Sequence, residues 1–154
     1  MGHLLGHCGL HRGSERRAFE LSDFRTYPCL IDSLEFTCLI GIVWKTKQNQ
    51  YSYVQHSPFL RCIDALECPI GALAFNLFFR FNFDNEPFPD LSNKASWYDI
   101  KLFPTKDNNQ KEITADALLK YVKKMLNDCN INTGKNITHI GRKTQIRVLD
   151  NHGV

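Results

Sequence analysis

The sequence predicts an α+β fold, mainly helical, with a small β-sheet. Three stretches carry that expectation: an apolar helix opening at Cys68-Pro69, an amphipathic helix behind Thr114, and a strand pair between Phe36 and Gln55. The 154 residues, 43% of them hydrophobic and 11 of them Phe, suffice for one compact domain with a core and are short for two.

Ser14 to Leu21 reads as a short helix, with Ser14 as its cap and Ala18, Leu21 and Phe19 turned inward. Phe36 to Trp44 is rich in β-branched and aromatic residues on both alternating faces, the pattern of a strand buried on two sides. The polar turn Lys45 to Gln50 leads into a second strand, Tyr51 to Gln55, and the two make a β-hairpin. At Cys68-Pro69 the proline suits the first helical position, and Ile70, Leu73, Ala74, Leu77, Phe78 and Phe81 follow at helical spacing. Phe75 and Phe79 widen that face, so this helix is expected to be the core.

Asp84 to Ser96, with Pro87, Pro89 and Asn93, reads as a loop; Trp97 to Phe103 reads as extended, and Pro104 to Lys111 as another loop. Thr114 then caps a helix whose apolar side is Leu118, Tyr121, Val122 and Met125, with Lys120, Lys123 and Lys124 toward solvent. Asn130 to Asn136 connects it to a last helix capped by Thr138. In that helix's first turn His139 and Arg142 share a face, where free backbone N–H groups favour an anion. A capped surface helix with solvated basic residues has the same pattern, so His-x-x-Arg alone leaves both readings open.

The net charge of +3 is unevenly spread. Residues 101 to 147 hold 10 basic and 4 acidic residues, net +6, whereas residues 1 to 100 hold 9 basic and 11 acidic, net −2. A basic C-terminal third suits nucleic acid or another polyanion, and solvated lysines on ordinary helices give the same count. The six cysteines form no Cys-x-x-Cys pair, and several sit in apolar runs, so they are expected to be reduced and structural. His3, His7, Cys8 and His11 crowd together but lack a second pair at ligand spacing, and no metal is expected. There is no secretory signal, and the longest apolar run, Cys68 to Phe79, is too short to span a bilayer. A soluble intracellular protein is the expectation.

Five blocks stand in a familiar order: Arg12 to Asp23, Lys45 to Gln50, Cys68 to Ala74, Trp97 to Lys101 and Thr138 to Lys143. The chain resembles the second domain of the fungal centromere DNA-binding kinetochore subunit, the Ndc-ten domain, and its relatives, the Crypton-type tyrosine recombinases of mobile elements. That resemblance implies a tyrosine-recombinase catalytic-domain-like core, mainly helical with a small β-sheet, as one DNA-binding domain over residues 1–154 that reads as truncated at both ends. His11 stands where the family pattern has an apolar residue.

In catalytic relatives two arginines, a hairpin lysine and a histidine surround the scissile phosphate. Carried over, Arg12 resembles the first arginine, Lys47 the hairpin lysine, and His139 and Arg142 the His-x-x-Arg pair, with Lys143 beside them. Guanidinium groups suit phosphate oxygens bidentately, while a lysine and a histidine suit proton transfer at the oxygens. The tyrosine nucleophile belongs after the His-x-x-Arg helix, and Tyr27, Tyr51, Tyr53, Tyr98 and Tyr121 all precede it.

The expected function is therefore DNA binding through backbone phosphates at Arg12, Lys47, His139, Arg142 and Lys143. No catalytic residue, metal or cofactor is expected, and no strand transfer within the chain. One alternative is a remnant of a Crypton-like recombinase whose tyrosine lies beyond the chain end. Another is a protein-interaction module whose basic third meets an acidic partner. The implied partners are DNA, with a second copy of the chain or kinetochore-like proteins, and no membrane; the implied location is the nucleus.

Overall fold

The computed structural model describes residues 2–31, 33–44, 53–131, 137 and 140–151. Along the chain run α1 (Gly2–Cys8), α2 (Gly13–Ala18), a 3-10 turn (Leu21–Asp23), β1 (Phe24–Ile31), β2 (Leu34–Val43) and β3 (Gln55–Phe59). Then follow α3 (Pro69–Asn82), α4 (Lys94–Trp97), β4 (Pro104–Thr105), β5 (Asn108–Glu112), α5 (Ala115–Asp128) and α6 (Ile140–Asn151). The class is α+β, with two small antiparallel sheets.

β2 is the central strand of the larger sheet, with β1 and β3 antiparallel on either side. β1 went unread in the sequence because Pro28 argues against a strand. Its place at the sheet edge explains the tolerance, since an edge strand has a side with no ladder bond to lose. β2 is buried on both faces only at Gly41, Ile42 and Val43, and its first residues are exposed. The expected hairpin partner is displaced. Tyr53 and Val54 are exposed and outside any strand, and pairing runs from Val43↔Gln55 to Leu39↔Phe59. Its turn, 45–50, and Tyr51 lie outside the described residues.

Three further expectations are corrected. α2 opens at Gly13 with Arg12 as its N-cap, because Glu15 Oε2 accepts the Arg12 backbone N–H at 2.7 Å; Ser14 is simply exposed. The helix ends at Ala18, which is exposed, while Phe19 turns into the core. The loop expected over residues 84–96 holds as far as Asn93, whose side chain caps α4 at the Ala95 N–H, and the one expected over 104–111 is the β4–β5 hairpin.

The two strong helical patterns form as expected. Cys68 caps α3, its Sγ accepting from the Gly71 N–H at 3.3 Å, and Pro69 occupies the first position. Thr114 Oγ1 accepts from the Ala117 N–H at 3.1 Å and caps α5. Their faces differ from the expectation. On α5 the buried residues are Leu118 and Leu126, while Tyr121 is 67% exposed. On α3 Leu73 is buried, with Ile70 and Leu77 packed beside the core, but Ala74, Phe75, Phe78 and Phe79 are exposed.

The core is therefore shared. Leu5, Phe19, Val43, Phe59, Leu73 and Leu102 meet at its centre, drawn from α1, the α2 exit, β2, β3, α3 and the segment before β4. A short antiparallel bridge holds the two chain segments that cross it. Leu21 N–H donates to Ile100 O and Leu102 N–H to Phe19 O, each at 2.8 Å, with Glu20 opposite Lys101.

Two buried polar side chains fix this arrangement. Arg80, at the end of α3, makes a two-pronged pair with Glu86 at 2.7 Å on both prongs and donates to the Lys101 carbonyl at 3.0 Å. Both ion-pair partners are largely withdrawn from water. His11 is 5% exposed, edge-on to Phe19 at 5.0 Å and tilted against Phe59 at 5.9 Å. Burial, reinforced by nearby Arg16, lowers its pKa to about 4. The ring is neutral at pH 7, so its 3.9 Å approach to Glu15 is not an ion pair there.

Replacing Arg80 with Ala leaves the Glu86 carboxylate buried without its partner, and chemical denaturation should show a loss of about 3–5 kcal/mol. A Lys at position 80 should recover only part of it, because one ammonium cannot bridge both carboxylate oxygens and the Lys101 carbonyl together.

The His11 effect has a defined sign. As pH falls, the unfolded ring takes up its proton near 6.5 and the folded one only near 4, so stability present above 6.5 is lost on the way to about 4. The loss should be about 3 kcal/mol. Subtracting the pH–stability profile of His11→Phe isolates it from the carboxylates, and a variant profile parallel to the parent's would contradict it.

Candidate nucleic-acid interface

The small helix α1 organises the basic elements because it has room for its neighbours. A Cβ at Gly6 would lie 2.7 Å from the Arg16 guanidinium, and one at Gly9, just beyond the helix, 2.4 Å from the His11 ring. Only glycine leaves space for these side chains. Arg16 uses it to reach the Gly2 carbonyl with Nη1 at 2.6 Å, which pins α2 to the start of α1. Burial lowers the Arg16 pKa, with Arg17 adding to the effect and Glu15 opposing it. Arg16 is thus a structural cation. No local pattern signals this role, because arginines ordinarily lie at the surface.

α6 packs on α1, where His7 Nδ1 and Thr144 Oγ1 are 3.1 Å apart. α2 packs on α5, with Gly13 close to Leu118. The helix that carries Arg142 and Lys143 and the helix that carries Lys120, Lys123 and Lys124 are therefore mounted on one α1–α2 unit. Lys120, Lys123 and Lys124 are exposed at helical i, i+3, i+4 spacing, and Lys143 and Arg147 are exposed one turn apart. Arg147 was not singled out from the sequence. Its signal was the four-residue interval from Lys143.

Of the five expected phosphate ligands, Lys47 and His139 lie outside the described residues, as does Thr138, the expected cap of the last helix. Arg142 falls in the first turn of α6, its side chain outside the described set, and Lys143 follows it, exposed. Arg12 is half-buried at the α2 N-cap. Its guanidinium approaches Glu15 at 3.8 Å, a loose contact, while the other Glu15 oxygen holds the Arg12 backbone N–H. The grip on the backbone is the firm one, so the guanidinium can exchange its carboxylate for a phosphate without uncapping the helix.

Among the described tyrosines, Tyr27, Tyr53 and Tyr121 are exposed, and Tyr98 stacks edge-on against Trp97 at 4.8 Å. No group of three or more His, Cys, Asp or Glu residues among those described is placed to hold a metal ion, and no described helix is long and apolar enough to cross a membrane.

The family model for the centromere DNA-binding protein complex CBF3 subunit, domain 2, matches residues 2–154. Neither a curated protein nor a solved structure matches the chain. With essentially the whole sequence covered by that one model, the chain belongs to the family of the centromere DNA-binding protein complex CBF3 subunit, domain 2.

Proposed function

We propose that this chain binds duplex DNA through its backbone phosphates and does not itself carry out strand transfer. The observation that carries the reading is the mounting of two cation-bearing helices, α5 and α6, on the α1–α2 unit that also presents Arg12. Membership of a centromere DNA-binding family supplies the polyanion that such a surface needs. Exposed lysines and arginines that neutralise phosphates release condensed counterions, and this gives affinity without sequence preference.

In the finer form of the reading, Arg12, Lys47, His139 and Arg142 converge on one phosphate as in tyrosine recombinases, with Lys143 on the backbone beside them. The five sequence blocks that resemble the Ndc-ten domain, with the Crypton-type recombinases as its relatives, support that form. The arginines hold the nonbridging oxygens, and Lys47 and His139 occupy the positions of proton donors. No tyrosine follows Arg142 within the 154 residues, so a transfer reaction would need a nucleophile from outside them. The reading places the protein in the nucleus, with DNA and kinetochore proteins as partners.

Fluorescence anisotropy with a duplex of arbitrary sequence tests this at several salt concentrations. Affinity should fall by a log–log slope of about −0.9 per phosphate contacted, and Arg142→Ala or Lys143→Ala should each flatten that slope by about 0.9. A nicked duplex that traps covalent recombinase intermediates should yield no protein–DNA adduct. Binding indifferent to salt and to both substitutions would refute the phosphate grip, and an adduct would refute the lack of transfer.

A further inference from the structure

Away from the basic helices, α3 and the segment after it enclose an apolar groove of about 610 Å³. Leu77 and Phe81 of α3 line one side, and Phe88, Leu91 and Trp97 the other. Its edge continues into an aromatic ridge, where Phe78, Phe79 and Phe83 stack at 5.0 to 6.1 Å. Phe75, Phe78, Phe79, Phe83, Phe88 and Leu91 each leave more than half of their surface exposed, roughly 600 Å² of apolar area together. That is at the upper end of what a monomer's largest patch shows, and it is far more than a small ligand would cover.

The charge around the groove specifies what fits. The segment framing the groove, residues 84–99, carries Asp84, Glu86, Asp90 and Asp99 against the single cation Lys94. Arg80 neutralises Glu86, whereas Asp84, Asp90 and Asp99 face solvent. Asp90 sits between two groove-lining residues, Pro89 and Leu91, and hydrogen bonds from Ser92 lower its pKa and keep it ionised. This acidic frame repels nucleic acid and attracts cations.

We infer that the α3 groove is a docking surface for an amphipathic segment of another protein, one whose apolar anchors are flanked by lysines or arginines. The anchors fill the space between α3 and Phe88 and Leu91, and the flanking cations meet Asp84, Asp90 and Asp99. This surface is separate in sequence and in charge from the helices proposed to grip DNA.

The test is a selection of random peptides displayed on phage against the whole chain, followed by anisotropy with the synthetic winners. Enriched peptides should share apolar residues at i, i+3 or i+4 with flanking Lys or Arg. Phe88→Ser and Leu91→Ser, both at exposed positions, should weaken them by about tenfold or more. The double charge reversal Asp84→Lys with Asp99→Lys should weaken them severalfold, most at low salt, while all these variants keep the parent's thermal unfolding and DNA binding. Acidic winners, affinities unmoved by the variants, or no enrichment at all would overturn the assignment. So would a dimer in sedimentation that Phe88→Ser dissociates, since a second copy would then be the occupant.

Discussion

The antiparallel bridge between Phe19–Leu21 and Ile100–Leu102 is the contact on which the other elements depend. It joins segments about eighty residues apart through two short backbone hydrogen bonds, and it carries Phe19, Ile100 and Leu102 into the interior as it does so. Lys101 points outward from the same bridge and pairs with Glu20, so the charge stays at the edge while the neighbouring side chains are buried. The carbonyls of Lys101 and Leu102 would otherwise be poorly satisfied, and Arg80 reaches them from α3. One junction therefore sets the position of the N-terminal helices, the larger sheet and α3.

Two kinds of cation stand at opposite extremes among the described residues. Arg16 and Arg80 are buried and committed to backbone carbonyls, and Arg80 to a carboxylate as well. Lys120, Lys123, Lys124, Lys143 and Arg147 are exposed on α5 and α6. Burial costs a charge its hydration, so the first kind occurs only where fixed acceptors replace water. Acidic groups collect instead beside α3, around an apolar groove. The described residues thus present exposed cations on α5 and α6 and exposed carboxylates beside α3.

Helices with a strong local signal were legible from sequence, and pieces held by distant partners were not. Pro69 after Cys68, and Thr114 ahead of a lysine-edged apolar stripe, announced α3 and α5 at their true starts. β1 was hidden by Pro28, which an edge position tolerates, and β3 was misplaced because its register, from Val43↔Gln55 to Leu39↔Phe59, is set by pairing with β2 and not by local pattern. The exposure of Phe75, Phe78 and Phe79 could not be foreseen, since a helical apolar stripe reports amphipathicity and not what packs on it. Of the candidate site, residue types and order were readable, and the convergence of α5 and α6 on α1 and α2 was not, because it depends on contacts spanning the whole sequence. His11 is the instructive exception. The resemblance led to the expectation of an apolar residue there, and the ring, neutral at pH 7, packs as one more aromatic in the core.

The glycines that make α1 a good platform also make it a poor helix. Seven residues with two glycines cannot nucleate a stable turn alone, so α1 acquires its shape from Arg16 and the core residues that close on it. The seat that α1 offers α6 therefore depends on those same contacts, so a change that loosens Arg16 or the core is felt at the basic helix as well.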